Sequence, residues 1–186
     1  DDKEQLGNNI EKVLQAGVQR IELCSSMSNE GLTPDIESIV LARKLMKNSD
    51  GLLVMIRPRA GDFSYDESEI SLMLEQIRKA ALAGADGVVL GILNKEQSAI
   101  ETRVMERIMM LCRTLALQVT FHRAFDVLIN REIALQQLIV LGVDRVLTSG
   151  TCWGKIGTAL DGQDTLLALT PRAYTGYAER LAKEIE

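Results

Sequence analysis

Apolar residues along the chain fall into short dense runs, separated by longer stretches where they recur every three or four positions. The runs are IELC at 21–24, LLVMIRP at 52–58, GVVLG at 87–91, LQVTFHR at 117–123 and RVLTSG at 145–150. They are rich in branched aliphatic residues and largely apolar on both faces, which predicts strands of a buried parallel sheet. The stretches between them read as amphipathic helices. Thr33 before Pro34 predicts a cap and first turn for a helix that runs to about Met46. Asp66-Glu-Ser-Glu opens another through about Ala83, with Ile70, Met73, Leu74, Ile77 and Ala81 on one face. Thr102 opens a third through about Leu115, with Met105, Ile108, Met109 and Cys112 in register. Asn130 caps a fourth through about Leu141.

Three segments rhyme: QAGVQRIELC, LAGADGVVLG and VLGVDRVLTSG. Each has a glycine, an apolar residue, a polar residue and then a strand. Gly17, Gly84 and Gly142 stand where a helix should end in a left-handed residue. Strict strand–helix alternation means a parallel α/β fold, and no linker interrupts the chain before about residue 150. The choice lies between an open doubly wound sheet and a barrel. No G-x-G-x-x-G or P-loop sequence is present. Polar residues recur instead at the carboxyl ends of the strands: Glu22 and Cys24, Arg57 and Arg59, His122, then Thr148 and Ser149. A ring of that kind is how a TIM-like (β/α)8 barrel builds a site. Five strands in 186 residues fall short of a full barrel of roughly 250 residues, so the expected barrel is incomplete in this sequence.

The bulk numbers narrow the function. A net charge of -5 argues against a general nucleic-acid binder. No window approaches the roughly 18 unbroken apolar residues of a membrane helix. The opening DDKEQLGNN is acidic and polar, unlike a secretory leader. Three widely spaced cysteines, Cys24, Cys112 and Cys152, suit a reduced cytoplasmic protein better than a disulfide scaffold.

Alternation orders the strand faces. Glu22 and Cys24 share one, Arg57 shares one with Met55, and His122, the only histidine, shares one with Thr120. If the wholly apolar faces pack on the helices, these polar residues meet in the barrel mouth. Buried charge needs a partner, so the expectation is Glu22 paired with Arg57, and His122 hydrogen-bonded to a carboxylate. Such a cluster offers acid–base groups and a cation for an anionic ligand. Glu22 or Asp126 would be the base, His122 the acid, and Arg57 and Arg59 the anion clamp. Asp62, in the RPRAGDFSY loop beside Arg59, is a further substrate-binding candidate. The plainer reading is a satisfied core histidine, a structural ion pair and a buried thiol at Cys24.

Taken in order, IELC, EGLTPD (30–35), MIRPRAGDFSYD (55–66), GADGVVLGIL (84–93), VTFHRAFD (119–126) and RVLTSG resemble the CutC copper homeostasis proteins. The blocks cover residues 10–150 nearly continuously. The resemblance implies a TIM-like barrel, cytoplasmic location, self-association and a role in copper handling. The family's mouth residues carry over to Glu22, Arg57, Arg59, His122 and Asp126, and its copper-linked cysteine to Cys24. The chain departs from the family at both ends. It starts at about the helix that follows the family's first strand, and two late strands have no counterpart. Residues 158–169 fit a sixth helix and the remainder a C-terminal helix, within one domain spanning 1–186. Copper(I) favours thiolate and thioether ligands helped by imidazole. Cys24, Met55 and His122 qualify, but no C-x-x-C motif exists, so tight binding would call on a second subunit or the family's first strand. Three functions therefore stand: copper(I) binding or trafficking, a barrel enzyme for a small anionic or carbonyl-bearing metabolite, and a barrel kept as a binding scaffold.

Overall fold

The computed structural model describes residues 3–47 and 51–150. Five parallel strands, β1 (Ile21–Leu23), β2 (Leu52–Met55), β3 (Gly87–Leu90), β4 (Gln118–Phe121) and β5 (Arg145–Val146), lie side by side in chain order. The helices are α1 (Lys3–Gln15), α2 (Ile36–Met46), α3 (Glu67–Leu82), α4 (Thr102–Thr114) and α5 (Arg131–Leu141). Each helix packs beside the next. A sheet that never reverses its order, with its crossover helices ranged together, is wound as a barrel is. The expected helix at 158–169, the C-terminal helix and Cys152 lie outside the described residues.

The strands separate the apolar residues as alternation predicts. Leu23, Val54, Ile56, Val88, Leu90, Val119 and Phe121 join the helices in the main core. Leu53, Met55 and Val89, with Cys24 against them, form a second, smaller cluster on the opposite face. Helix α3 opens with a capping box, in which the Asp66 carboxylate accepts from Glu69 N and the Glu69 carboxylate accepts from Asp66 N. Asn130 caps α5 by accepting from Ile133 N. Thr33 does not cap α2, contrary to expectation. Asp35 does, accepting from Ser38 N at 2.7 Å. The Thr33 hydroxyl is drawn away by the sheet end, where it accepts from Arg57 N at 2.8 Å and donates to Gln76.

The rhyming segments have a common physical cause. Gly17, Gly84 and Gly142 take φ values of 81°, 93° and 77°, the left-handed exit that glycine makes without a Cβ penalty. The polar residue two places on then serves the preceding strand. Asp86 accepts from Leu52 N at 2.8 Å and from Gly51 N at 2.7 Å. Asp144 accepts from Val119 N at 2.7 Å. Each carboxylate satisfies amide hydrogens at the start of a buried strand, where an unpaired donor would cost about 1–3 kcal/mol.

Candidate functional site

The carboxyl ends of the strands carry a cavity of about 340 Å³ lined by Glu22, Met27, Glu30, Met55, Arg57, Phe63, His122, Arg123 and Leu147. That volume is within the usual range of small-molecule pockets. Three of the predicted residues, Glu22, Arg57 and His122, meet there. Arg59, Asp62, Asp126 and Cys24 are not among its lining residues.

His122 lies one residue past β4, where it caps the short 3-10 helix Arg123–Val127. Its Nδ1 accepts from Ala124 N at 3.2 Å. Because Nδ1 must offer a lone pair to that amide, the neutral ring carries its proton on Nε2. Nε2 is buried and has no hydrogen-bond partner among the described residues. The expected carboxylate partner of His122 is therefore not found. The ring packs against Phe63, with centroids 4.9 Å apart. Gly91 lies beneath it, and a Cβ there would fall 2.6 Å from Nδ1 and 2.7 Å from Cε1. Burial first, and the Arg57 charge second, push the imidazole pKa down to about 3.

Arg57 is 2% exposed, yet it does not pair with Glu22 as expected. Its Nη1 donates to the carbonyls of Asn29 and Gly31, and its Nη2 to that of Gly61. It thereby ties two loops together over the cavity. Its carboxylate neighbour is Glu30, 3.9 Å from Nη2 and itself 60% exposed at the side chain. Nε has no partner among the described residues. The expected pairing fails because Glu22 stands opposite Leu53 in the β1–β2 register, four residues before Arg57, while the loop at 25–33 brings Glu30 over the guanidinium. Among the described residues Glu22 pairs with no cation, and although the residue is solvent-exposed, partial desolvation of its carboxylate raises its pKa.

The remaining candidates are engaged elsewhere. Asp126, 1% exposed, accepts from Thr148 Oγ1, Ser149 N, Ser149 Oγ and Arg123 Nε. Four donors on one carboxylate tie the end of β4 to the segment after β5. Arg59 pairs with Glu69 and Asp62 and donates to the carbonyl of Ser64. Its guanidinium lies 5.1 Å from the centre of the Tyr65 ring. These contacts stiffen the 58–66 loop.

Cys24 is half-buried, and its Sγ contacts Met27 Sδ at 3.1 Å. A Cβ on Gly31 would lie 3.5 Å from Cys24 Sγ and 3.7 Å from Met55 Cε, so three sulfur residues gather around that glycine. A thiol with two thioethers suits copper(I) in donor softness. The fit is incomplete in other respects. Burial and the nearby Glu22 raise the thiol pKa, opposing the thiolate that binds metal. His122 could ligate through Nε2 only by surrendering the proton that Nδ1 cannot take while Ala124 N–H occupies it. Among the described residues, no group of three or more His, Cys, Asp or Glu side chains is arranged for a metal.

The model of the CutC family matches residues 5–175. The chain belongs to the CutC family. It is 44% identical over 146 residues to a CutC family protein of Vibrio cholerae, covering 77% of this chain and 56% of the relative. It is 44% identical over 136 residues to the human copper homeostasis protein cutC homolog, covering 73% of this chain and 48% of that one. The chain thus spans about half the length of the curated relatives it matches. The crystal structure of CutC from Streptococcus agalactiae aligns with a TM-score of 0.75 at 32% identity, over 83% of this chain and 72% of that one. Deoxyribose phosphate aldolase from Aeropyrum pernix aligns with a TM-score of 0.61 at 14% identity, over 93% of this chain and 68% of that one, a likeness of fold alone. The fold is α/β and TIM-like, and the described strands form five consecutive members of its sheet. Among the described residues no helix is long and apolar enough to cross a membrane.

Sequence reasoning did not single out Met27, Glu30, Phe63 or Gly91. Met27 and Glu30 belong to a turn held by left-handed Ser26 (φ 50°) and Glu30 (φ 62°). Strained non-glycine residues of that kind leave no pattern in a sequence and recur at functional sites. Gly91 was legible only as the end of an apolar run.

Proposed function

We propose that this CutC-family chain is a barrel enzyme whose strand-end cavity binds a small anionic or carbonyl-bearing metabolite. The observation that carries the reading is His122. Its Nε2–H is buried and lacks a partner among the described residues, and the residue is one of those lining the cavity. Leaving such a donor unsatisfied costs about 1–3 kcal/mol, and a ligand oxygen would recover it. Arg57 supplies a buried cation beside it, and Glu22 a carboxylate of raised proton affinity. Asp126, Arg59 and Asp62 act as positioning residues that hold the loops around the cavity. The test is a thermal-melting screen of the protein with pyruvate, oxaloacetate, hydroxyacetone and dihydroxyacetone phosphate. The reading expects at least one anionic member to raise Tm in wild type and less in His122→Asn. No shift with any of the four would overturn it.

The second reading is copper(I) binding for homeostasis or trafficking, favoured by the Cys24–Met27 sulfur contact and by the human relative's name. With one thiol at the site, tight binding calls for a further soft ligand, such as one from a second copy of the chain. The free cysteines among the described residues suit the reducing cytoplasm in which such a protein would work.

A further inference from the structure

His122 is held as a hydrogen-bond donor and not as a proton shuttle. Ala124 N–H points at Nδ1, so a second proton on that atom would set donor against donor. Gly91 and Phe63 pack the ring on either hand and leave it little room to turn. A neutral imidazole that can donate but not accept a proton stabilises charge developing on an oxygen. The proton acceptor must then be another group in the same cavity. Two carboxylates line it, and Glu30 serves as the counter-ion of Arg57. Among the described residues Glu22 has no such cation. Among the described residues no lysine lines the cavity, so none of them offers a nucleophile for a Schiff base with a carbonyl substrate.

We infer, resting on the metabolite reading above, that the reaction is proton transfer at the carbon next to a carbonyl. Glu22 is the base, His122 Nε2–H holds the carbonyl oxygen, and Arg57 faces the carboxylate or phosphate of the same molecule. The C–H bond breaks and its proton passes to the Glu22 carboxylate. The C–H electron pair becomes the C=C bond of an enolate, and the carbonyl π pair moves onto the oxygen that His122 hydrogen-bonds. Return of the proton to the same carbon gives exchange with solvent. Return to the former carbonyl carbon of a hydroxycarbonyl compound gives its isomer, with the neighbouring hydroxyl proton passing to the former carbonyl oxygen as the new C=O bond forms. No oxidant, reductant or further reactant enters.

The experiment follows loss of the α-proton NMR signals of pyruvate, oxaloacetate, hydroxyacetone and dihydroxyacetone phosphate in D2O, with the full chain and with Glu22→Gln and His122→Asn. Thermal melting of each protein with each compound runs in parallel. Exchange above the protein-free rate is expected for an anionic compound. The carboxylates and the phosphate report which anion Arg57 receives, and hydroxyacetone, which has none, should exchange more slowly. Glu22→Gln should lower the rate about 100-fold or more while keeping the ligand-induced Tm shift. His122→Asn should lower it by a similar factor. Binding without exchange would overturn this inference alone, as would exchange that survives Glu22→Gln. Absence of both binding and exchange would overturn the metabolite reading with it.

Discussion

A buried neutral histidine makes stability depend on pH with a definite sign. In the folded protein His122 has its pKa pushed down to about 3, whereas an unfolded histidine titrates near 6.5. Below pH 6.5 the unfolded chain takes up a proton that the folded chain refuses. Stability from this group is therefore complete above about pH 7 and is lost progressively as pH falls toward 3. Between pH 7 and pH 5 the loss amounts to about 2 kcal/mol, from 1.36 kcal/mol for each pH step below the unfolded pKa. His122 is the only histidine, so no other imidazole contributes. His122→Asn retains a side-chain acceptor for Ala124 N and removes the titration. Urea unfolding of both proteins at the two pH values isolates the term. Glu22, whose pKa is raised and which therefore stabilises in the opposite sense on acidification, cancels in the difference. Wild type should lose about 2 kcal/mol more than the variant. Equal losses, or a larger one in His122→Asn, would refute the claim that the ring is buried and neutral.

Other outcomes follow from the same geometry. Gly91→Ala drives a methyl to 2.6 Å from His122 Nδ1 and should cost about 1–3 kcal/mol in urea unfolding, with the imidazole nitrogen resonances displaced; unchanged resonances would show that the ring does not rest on Gly91. Asp126→Asn turns an amide toward donors that now reach a carboxylate, and about 3 kcal/mol of stability should be lost; a variant as stable as wild type would contradict its role as a tie between β4 and β5. Competition with a copper(I) chelator should show Cys24→Ser weaker than wild type if the sulfur cluster binds metal, whereas binding no tighter than that of an unrelated protein with three free thiols would remove the copper reading.

Much of the frame was legible because it rests on local rules. The glycine–apolar–polar rhyme announced the left-handed helix exits, whereas the tethering of neighbouring strands by Asp86 and Asp144 appears only in the structure. Alternation placed Met55 and the helix-facing Val54 and Ile56 on the correct faces. It also brought Glu22, Arg57 and His122 to one cavity. What alternation could not convey was how loops outside the strands spend those side chains. Arg57 is claimed by carbonyls of Asn29, Gly31 and Gly61, and Asp126 by the backbone and hydroxyls after β5. The Glu22–Arg57 pair failed because a shared face says nothing of register, which sets Glu22 opposite Leu53, nor of a loop that inserts Glu30. His122 read as a strand residue because VTFHR is continuous in hydropathy, whereas the strand ends at Phe121 and the imidazole begins the next turn.

The central claim is that His122 offers an Nε2–H to a ligand oxygen in the strand-end cavity. Nitrogen-15 NMR of histidine-labelled protein reads that group directly, since one histidine gives one set of signals. At neutral pH the account predicts a single neutral tautomer protonated at Nε2. It also predicts that any carbonyl anion that raises Tm will move the Nε2–H resonance. A ring protonated at Nδ1, a charged ring, or a bound ligand that leaves the Nε2–H resonance unmoved would contradict it.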